Sequence, residues 1–508
     1  MRSFIIVVAL LAPVAASAQE GLKVFISADM EGVAGVVTPE QLGPAGFEYG
    51  RFREFMTAEV LAAIEGARAA GATEILVADA HGNGQNLLLE RLPDDVRVVR
   101  SWPRPLGMME GIDATFDAVA DTVLIGASFG LTVNAARPHA EVSGATRAYV
   151  RDGVQMSAAT LDISAGNSAA DDIQYNATTN TILASIAGLA SVSILEGEAI
   201  VSGEVSAYLG APFDGPVTGG TGITNITGAV TIDAWSDMNA TAGFGDDGFA
   251  ASVGGLAAVS IFDTLSDVAG ATRAFVGQGG HLMADSLDVY ANGDYDALSN
   301  TLGVAMAGAV VFSDITAHAN VTGTVDAHAG SAANVAPSAS NIGIVDITGQ
   351  VNITAIGKMY AAPTVGNLGV SLVTIALMDQ RATVSGAVRA YVGQGIDLDA
   401  SGLKILADAP FVQGSSPDAY DEHSYGMGAY ARSLNLSLGA LASITDIKSV
   451  AKVDGVVEAF IGAGRGLVAS DVMTDVNVGG GNIDVIADGD MRAVSDIASI
   501  SASGGLAL

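Results

Sequence analysis

The sequence VSGATRAYV at residues 142–150 returns as VAGATRAFV at residues 268–276 and as VSGAVRAYV at residues 384–392. Weaker copies complete a set of six, each with a glycine at its third position. These glycines are Gly144, Gly203, Gly270, Gly323, Gly386 and Gly455, with gaps of 59, 67, 53, 63 and 69 residues. A loose repeat of this length is typical of a solenoid or of an array of modules.

Each repeat has the pattern of β-structure. Apolar and polar residues alternate from Val388 to Val392, and the alternation returns at Ile396 to Ala400 and at Leu434 to Leu438. A period of two, with Gly, Asp and Asn in the intervening turns, indicates strands. We therefore predict that residues 119–508 form an all-β repeat region of about six units. Its predicted fold is a β-solenoid, and a series of β-sandwich modules is the alternative.

The type of acidic residue changes near residue 119. Residues 1–118 contain 10 Glu and 6 Asp, whereas residues 119–508 contain 6 Glu and 33 Asp. Glu favours helices, while Asp favours turns. The chain is therefore predicted to have two unlike parts, and residues 19–118 form a partial α/β domain.

Composition excludes several classes of protein. The net charge is −33 without any basic cluster, so a nucleic-acid partner is not expected. Half of the residues are apolar, which argues against disorder. There is no cysteine, so disulfides and thiolate metal sites are impossible. Gly-Gly-x-Gly-x-Asp repeats are missing, and the abundant Asp is therefore interpreted as a solvated face and not as a series of calcium sites.

The N-terminus has the pattern of a secretory signal peptide at residues 1–18. Arg2 precedes an apolar run from Phe4 to Ala12, and Ala16-Ser17-Ala18 forms the expected cleavage motif. This pattern predicts export from a bacterial cell, to the periplasm, the cell surface or the medium. No later segment is apolar for long enough to predict a membrane span.

The first part begins with strand and helix signals in alternation. Leu22 to Ala28 and Glu74 to Ala78 are short apolar runs, and Val96 to Val99 is a third. Between the first two, Tyr49 to Ala70 places Phe52, Phe55, Met56, Val60, Ala63, Ile64 and Ala67 on one helical face. Strand, helix and strand in this order predict a parallel sheet with a right-handed crossover.

Polar residues directly follow the first two predicted strands. Asp29 and Glu31 follow one strand, and Asp79 and His81 follow the other. Ligands of open parallel sheets bind beyond the carboxyl ends of the strands, so these four side chains are expected to share a crevice. Carboxylates with an imidazole suit Zn²⁺ or a similar ion. The alternative is that Asp29 and Asp79 are ordinary residues of the turns that follow strands.

Four motifs in order resemble the bacterial zinc D-aminopeptidase family of metallopeptidases. They are SADMEGVAG at 27–35, MTAEV at 56–60, ADAHGN at 78–83 and MMEGID at 108–113. The resemblance implies a zinc centre with Asp29, Glu31 and His81 as metal ligands and with Asp79, Asn83 and Glu110 as supporting or substrate-binding residues. It also implies that metal-activated water releases an N-terminal D-residue from a short peptide.

The resemblance ends near Asp117. In the family a strand then ends in Gly-Tyr-His, whose His is a further ligand, whereas this chain has Ser128 at that position. A catalytic His and a bridging Glu normally follow. His139 lies at a suitable distance, but its surroundings differ, and no Glu occurs between Glu141 and Glu196. The catalytic residues are therefore left unassigned, and it stays open whether the region is an enzyme.

The repeats resemble, more weakly, those of large bacterial surface adhesins and haemagglutinin-like proteins. This resemblance implies an adhesive surface or stalk with a cell-surface partner. Both ends of the array look unfinished, so self-association through uncapped ends is expected. The chain is interpreted as a fragment, or as a fusion near residues 118–121. The alternative function is that of a non-catalytic surface adhesion or structural repeat protein with a vestigial or artefactually fused peptidase segment.

Overall fold

The computed structural model describes residues 22–30, 33, 36, 38–69, 72–101, 104, 118–166, 173–213, 222–243, 249–333, 335, 337, 342–410, 426–464 and 474–507. The predicted signal peptide and the predicted site residues Glu31 and Glu110 lie outside these ranges. The chain divides into a first unit, Met1–Asp117, and a second unit, Ala118–Leu508.

The first unit contains a small parallel sheet with one helix. Its strands are β1 (Leu22–Ala28), β2 (Ala72–Asp79) and β3 (Arg97–Val99), and its helix is α1 (Tyr49–Ala69). Short 3-10 helices span Pro39–Gln41 and Leu89–Arg91. Strand β2 pairs in parallel with both β1 and β3, which confirms the predicted parallel α/β arrangement.

The core of the first unit lies between α1 and the sheet. Met56, Val60 and Ile64 of α1 are buried in one cluster with Ile75 and Val77 of β2. A stripe with four-residue spacing is sufficient to cover a three-stranded sheet.

The predicted buried face of the helix was too wide. Phe55 and Ala63 are exposed, and the guanidinium of Arg51 lies 5.2 Å from the centre of the Phe55 ring. Among the described residues, these two positions lie outside the buried face of α1.

The second unit is built from strands over its whole described length. They are β4 (Ala118–Ser128), β5 (Leu131–Ala136), β6 (His139–Val142), β7 (Ala145–Arg151), β8 (Met156–Ala158), β9 (Leu161–Ala165), β10 (Ile173–Ala187), β11 (Ala190–Val201), β12 (Glu204–Gly210), β13 (Ile223–Ile226), β14 (Ala229–Gly243), β15 (Phe249–Gly254), β16 (Ala257–Val268), β17 (Ala271–Val276), β18 (His281–Ala284), β19 (Ser286–Ala307), β20 (Val310–Val321), β21 (Thr324–Ala329), β22 (Gly343–Ile347), β23 (Gln350–Val384), β24 (Ala387–Val392), β25 (Ile396–Asp399), β26 (Gly402–Ala409), β27 (Met427–Val453), β28 (Val456–Ile461), β29 (Asp475–Asn477), β30 (Ile483–Gly489), β31 (Met491–Ser503) and β32 (Leu506–Ala507).

These strands form several parallel sheets. Among the described residues, one sheet has 17 strands, a second has the order β28-β24-β21-β17-β12-β7, and a third has the order β29-β25-β22-β18-β13-β8. We call the second of these the glycine-repeat sheet, because each of its strands directly follows a repeat glycine. In the large sheet, β14, β19, β23, β27 and β31 pair in parallel in that order.

The predicted β-solenoid is wrong: the second unit is an arrangement of several parallel sheets, some of whose strands are very long. The prediction treated each alternating stretch as a short strand that ended at a turn. Instead, β23 runs unbroken through 35 residues from Gln350 to Val384. Its three glycines do not interrupt the pairing, since glycine also adopts extended backbone. The alternative of β-sandwich modules does not hold either, because such modules have antiparallel sheets, and every pairing described here is parallel.

The repeat glycines lie next to one another at the start of the glycine-repeat sheet. The backbone N–H of Glu204 donates to the carbonyl of Gly144, and that of Ala271 donates to the carbonyl of Gly203. The same bond joins each later pair of repeats that the six glycines define. Residues at equal distances from these glycines are therefore neighbours across the sheet.

One such set is a stack of six rings on the glycine-repeat sheet, which we call the ring stack. Adjacent rings lie 4.6–5.0 Å apart between centroids and are parallel to within 6°. The members are Tyr149, Tyr208, Phe275, His328, Tyr391 and Phe460, each five residues after a repeat glycine. Stacked rings bury large apolar area and favour offset parallel packing.

The helices of the described residues include none with the length and apolar character that crossing a membrane requires.

Candidate metal centre

Asp29 and His81 are brought together by the pairing of β1 with β2. The parallel ladder continues one residue beyond the strands, since the N–H of Ala80 donates to the carbonyl of Ala28 at 2.8 Å. Asp29 and His81 therefore leave the sheet side by side. His81 Nδ1 lies 2.9 Å from Asp29 Oδ1. The His81 side chain is 8% exposed and that of Asp29 is 46% exposed, so the pair is open to solvent on the carboxylate side.

The other ring nitrogen of His81 defines the tautomer of the neutral ring. His81 Nε2 lies 2.7 Å from the carbonyl oxygen of Leu42. A carbonyl oxygen only accepts hydrogen bonds, so Nε2 carries the proton. Nδ1 then presents its lone pair to the Asp29 carboxylate, which is also an acceptor. Two facing acceptors are satisfied by a second ring proton or by a bound cation.

The chemistry of this donor set fits a divalent metal ion. Metal-ligating histidines donate their second N–H to a carbonyl or a carboxylate, as His81 does to Leu42. The N–H of Met30 donates to Asp29 Oδ1 at 2.8 Å and orients that carboxylate. Within the described residues, no group of three or more His, Asp and Glu side chains could hold a metal. The predicted third ligand, Glu31, is not among those residues.

Asp79 faces inward and holds the segment that carries His81. Its carboxylate is fully buried and accepts hydrogen bonds from the backbone N–H groups of Asn86 and Leu87 at 2.5 and 2.8 Å. The Asn86 side-chain amide donates to Asp79 Oδ1 at 2.8 Å and to the carbonyl of His81 at 2.5 Å. The hydrogen bonds of Asp79 and Asn86 thus hold the two ends of the segment 79–87 together. The predicted role of Asp79 as a support of a metal site stays a prediction.

Tyr49 and Arg53 of α1 anchor Asn86 from the other side. The Tyr49 hydroxyl donates to Asn86 Oδ1 at 2.5 Å, and Arg53 Nε donates to the Asn86 carbonyl at 2.7 Å. Burial raises the pKa of Tyr49, which Arg53 offsets in part, so the hydroxyl keeps its proton as a donor. The helix is thereby tied to the segment that positions His81.

Gly84 lets Arg104 pass close to the same segment. Gly84 has a φ of +65°, and a Cβ there would lie 2.7 Å from a guanidinium nitrogen of Arg104 and 2.8 Å from the backbone nitrogen of Ser101. Arg104 donates to the carbonyl of Asp79 at 2.8 Å. A glycine is therefore required by both conformation and space.

The remaining predicted residues have separate places. Asn83 is exposed, and its side chain accepts from the N–H of Gln85 at 2.9 Å in a local turn. In the second unit, Ser128 ends β4 and its hydroxyl accepts from Thr132. His139 begins β6, and its Nδ1 lies 3.0 Å from Glu198 Oε2.

The comparisons with known proteins concern this part of the chain. Residues 22–159 match the model of the D-aminopeptidase family. The D-aminopeptidase-like region, as we call these residues, extends 42 residues beyond Asp117, where the sequence resemblance ends. It therefore includes the first strands of the second unit, through β8.

One curated protein and one solved structure match the D-aminopeptidase-like region. A curated D-aminopeptidase of Bacillus subtilis (strain 168) is 29% identical over 131 residues, which are 26% of this chain and 47% of that protein. The chain thus spans about half the length of this curated relative. The solved structure of the Zn-dependent D-aminopeptidase DppA from Bacillus subtilis, a self-compartmentalizing protease, is 34% identical. That match covers 19% of this chain and 36% of the other, with a TM-score of 0.19.

Sequence reasoning missed the contributions of Leu42 and Asn86. Leu42 acts through its backbone carbonyl, for which no side-chain pattern exists. Asn86 ends the polar run DAHGNGQN at 79–86, whose two glycines already indicate a tight loop. Its burial depends on α1, which is distant along the chain, and so only the fold reveals its role.

Proposed function

We propose that the D-aminopeptidase-like region binds zinc through Asp29, Glu31 and His81 and removes N-terminal D-residues from short peptides. The observation that carries this proposal is the pairing of His81 Nδ1 with Asp29 Oδ1 while Leu42 occupies Nε2. The family match and the printed zinc dependence of the Bacillus subtilis enzyme are consistent with it.

The protein's own groups hold and orient the proposed ligands. Leu42 keeps the proton on His81 Nε2, so that Nδ1 directs its lone pair towards Asp29, where the cation would bind. Asp79 and Asn86 fix the backbone that carries His81, and Met30 orients Asp29. When bound, zinc supplies a Lewis acid that polarises the scissile carbonyl and makes water a nucleophile at neutral pH.

The decisive experiment measures zinc per chain and release of D-alanine from D-alanyl peptides. His81→Ala is expected to lose both. The matched control is His281→Ala in the second unit, where His281 pairs with Asp346 at 2.7 Å. Stoichiometric zinc with turnover that depends on His81 supports the proposal. If wild type binds no zinc under these conditions, the proposed centre does not exist.

A second function is favoured because the match covers only 47% of the curated relative. The chain spans about half of its curated relative, and the resemblance places Ser128 where the family has a further histidine ligand. In this alternative the protein is a non-catalytic surface adhesion or structural protein with a vestigial or artefactually fused peptidase segment. Zinc binding without hydrolysis, or neither activity, supports the alternative.

We propose in addition that the protein is exported and associates with itself. Export rests on the signal-like pattern of residues 1–18, and cell fractionation of the source bacterium tests it. Self-association rests on the solved relative, which is described as self-compartmentalizing. Analytical ultracentrifugation of the full chain tests it. A strict monomer at micromolar concentration contradicts self-association.

A further inference from the structure

The second unit contains a cavity of about 310 Å³ against the glycine-repeat sheet. Four neighbouring strands of that sheet contribute to its wall, together with residues that follow β12 and β21. The residues used below are Phe213, Arg273, Asp326, Arg389, Val456 and Glu458. No step of the proposed peptidase chemistry uses this cavity.

Charges of alternating sign line the cavity in one row across the sheet. Arg273, Asp326, Arg389 and Glu458 are register partners on consecutive strands β17, β21, β24 and β28. Each is three residues after a repeat glycine. Arg389 Nε donates to Glu458 Oε2 at 3.3 Å. The row carries two positive and two negative groups, so its formal charge is zero.

Asp326 is the least satisfied group of this row. Its side chain is 5% exposed and lines the cavity, yet Oδ1 has no hydrogen-bond partner. Arg273 Nε also lacks one. The nearest guanidinium nitrogens of Arg273 and Arg389 lie 3.9 Å from the Asp326 carboxylate, too far for hydrogen bonds. A buried carboxylate oxygen without a donor is costly, and a ligand hydroxyl in the cavity would remove that cost.

Electrostatics argues against charged ligands. An ammonium group at Asp326 would lie between the guanidinium groups of Arg273 and Arg389, which flank it on both sides. An anion would face the carboxylates of Asp326 and Glu458. A hydroxyl group avoids both conflicts, since it donates to a carboxylate and accepts from a guanidinium.

We propose that this cavity binds an uncharged polyhydroxylated molecule, a mono- or disaccharide. Neighbouring hydroxyls of a sugar would bridge the Asp326 carboxylate and the Arg273 guanidinium, since both side chains line the cavity. Val456 and the ring of Phe213 supply apolar wall for the C–H faces of the sugar, and the Arg273 guanidinium packs on that ring at 4.1 Å from its centre. The volume is at the small end of ligand sites, which run from about 300 Å³, and suits one or two sugar rings.

Saturation-transfer NMR on the full chain tests the proposal with glucose, galactose, N-acetylglucosamine and maltose as probes. At least one sugar is expected to bind saturably. Asp326→Asn is expected to weaken that binding roughly tenfold, since it loses a charged acceptor. Val456→Phe is expected to abolish binding because it fills the cavity without touching the charged row. Asp484→Asn, at an exposed position of β30, is the matched control and leaves binding unchanged.

Glycine and inorganic phosphate serve as charged probes in the same experiment. Saturable binding of either, in the absence of sugar binding, overturns the assignment to an uncharged ligand. Absence of binding by all four sugars overturns the proposal, as does sugar binding that neither variant changes. If Asp326→Asn does not fold, Val456→Phe still decides the outcome.

Discussion

His81 Nδ1 lies 2.9 Å from Asp29 Oδ1 although 52 residues separate the two along the chain. The pairing of β1 with β2 creates this contact, because both residues follow strands that end side by side. The ring is then oriented by Leu42 at Nε2. Two elements of regular structure and one backbone carbonyl therefore determine the geometry of the candidate site.

Asp79→Asn is expected to destabilise the first unit by about 2–4 kcal/mol. In either orientation the new NH₂ group faces a donor, namely the backbone N–H groups of Asn86 and Leu87 or the side-chain amide of Asn86. Chemical denaturation followed by far-UV circular dichroism measures the change. Asp95→Asn is the control, since the pair of Asp95 with Arg68 is exposed to solvent and should contribute much less to stability. Equal effects for both variants would contradict the supporting role of Asp79.

The conformation of the segment 79–87 predicts different costs for substitutions at two of its glycines. Gly82→Ala meets only the strain of a positive φ of +52°, because no atom lies within 4 Å of the added Cβ. A cost of about 1 kcal/mol is expected. Gly84→Ala additionally collides with Arg104 and Ser101, so its cost should exceed that of Gly82→Ala by at least about 1 kcal/mol. Hydrogen exchange of residues 79–87 reports the local change, and a smaller effect at Gly84 would refute the packing described.

Short apolar runs and turn residues made the first unit predictable. The run Leu22 to Ala28 is β1 without any shift in boundaries, and α1 begins at Tyr49 as its periodicity predicts. The proximity of the two strand-end residues, Asp29 and His81, was predictable because parallel strands bring their carboxyl ends to one edge. Backbone partners such as Leu42 were not predictable, since no side-chain pattern marks them.

The sequence predicted that the second unit consists of strands, but it did not predict how these strands are arranged in sheets. Alternation identifies a strand but does not define its length, so the 35 residues of β23 were read as several strands. The ring stack could have been found, because Tyr149, Phe275 and Tyr391 each lie five residues after a repeat glycine. Its fourth member, His328, is not a Phe or Tyr, so the aromatic repeat is interrupted in the sequence.

His328→Phe is expected to stabilise the second unit by about 1 kcal/mol at neutral pH. His328 is buried in the ring stack between Phe275 and Tyr391, and its Nδ1 has no hydrogen-bond partner. Phenylalanine keeps the stacking and removes the unsatisfied nitrogen. Denaturation followed by Trp235 fluorescence, in a Trp102→Phe background, measures the change in the second unit alone.

The reverse substitution at the next ring is the matched control. Phe275→His is expected to destabilise the same unit, because it adds a second polar ring to the ring stack. The difference in stability between His328→Phe and wild type is expected to grow as the pH falls. Burial, and secondarily Arg273, lowers the pKa of His328 to about 3, so wild type loses stability as the pH falls from about 6.5 towards 3. An advantage of His328→Phe that does not grow in acid would contradict this account.

The half-buried Asp296 should oppose folding at alkaline pH. Burial, and then the neighbouring carboxylates of Asp294 and Asp237, raises its pKa to about 8. The folded state therefore binds a proton that the unfolded state has already released above its ordinary pKa of 3.8. Stability from this group is complete below pH 3.8 and is lost as the pH rises through about 8.

Asp296→Asn removes that titration and keeps the size of the side chain. The variant should gain stability over wild type progressively between pH 5 and pH 9, reaching on the order of 2 kcal/mol. Asp233→Asn should show the same trend with its plateau at lower pH, because the pKa of Asp233 is raised only to about 6, by burial and by Asp162 and Asp288. Asp484→Asn, at an exposed position, should show no such pH dependence. Denaturation midpoints from Trp235 fluorescence at pH 5, 7 and 9 separate the three variants, and parallel curves for Asp296→Asn and wild type would show that this carboxyl is not protonated in the folded protein.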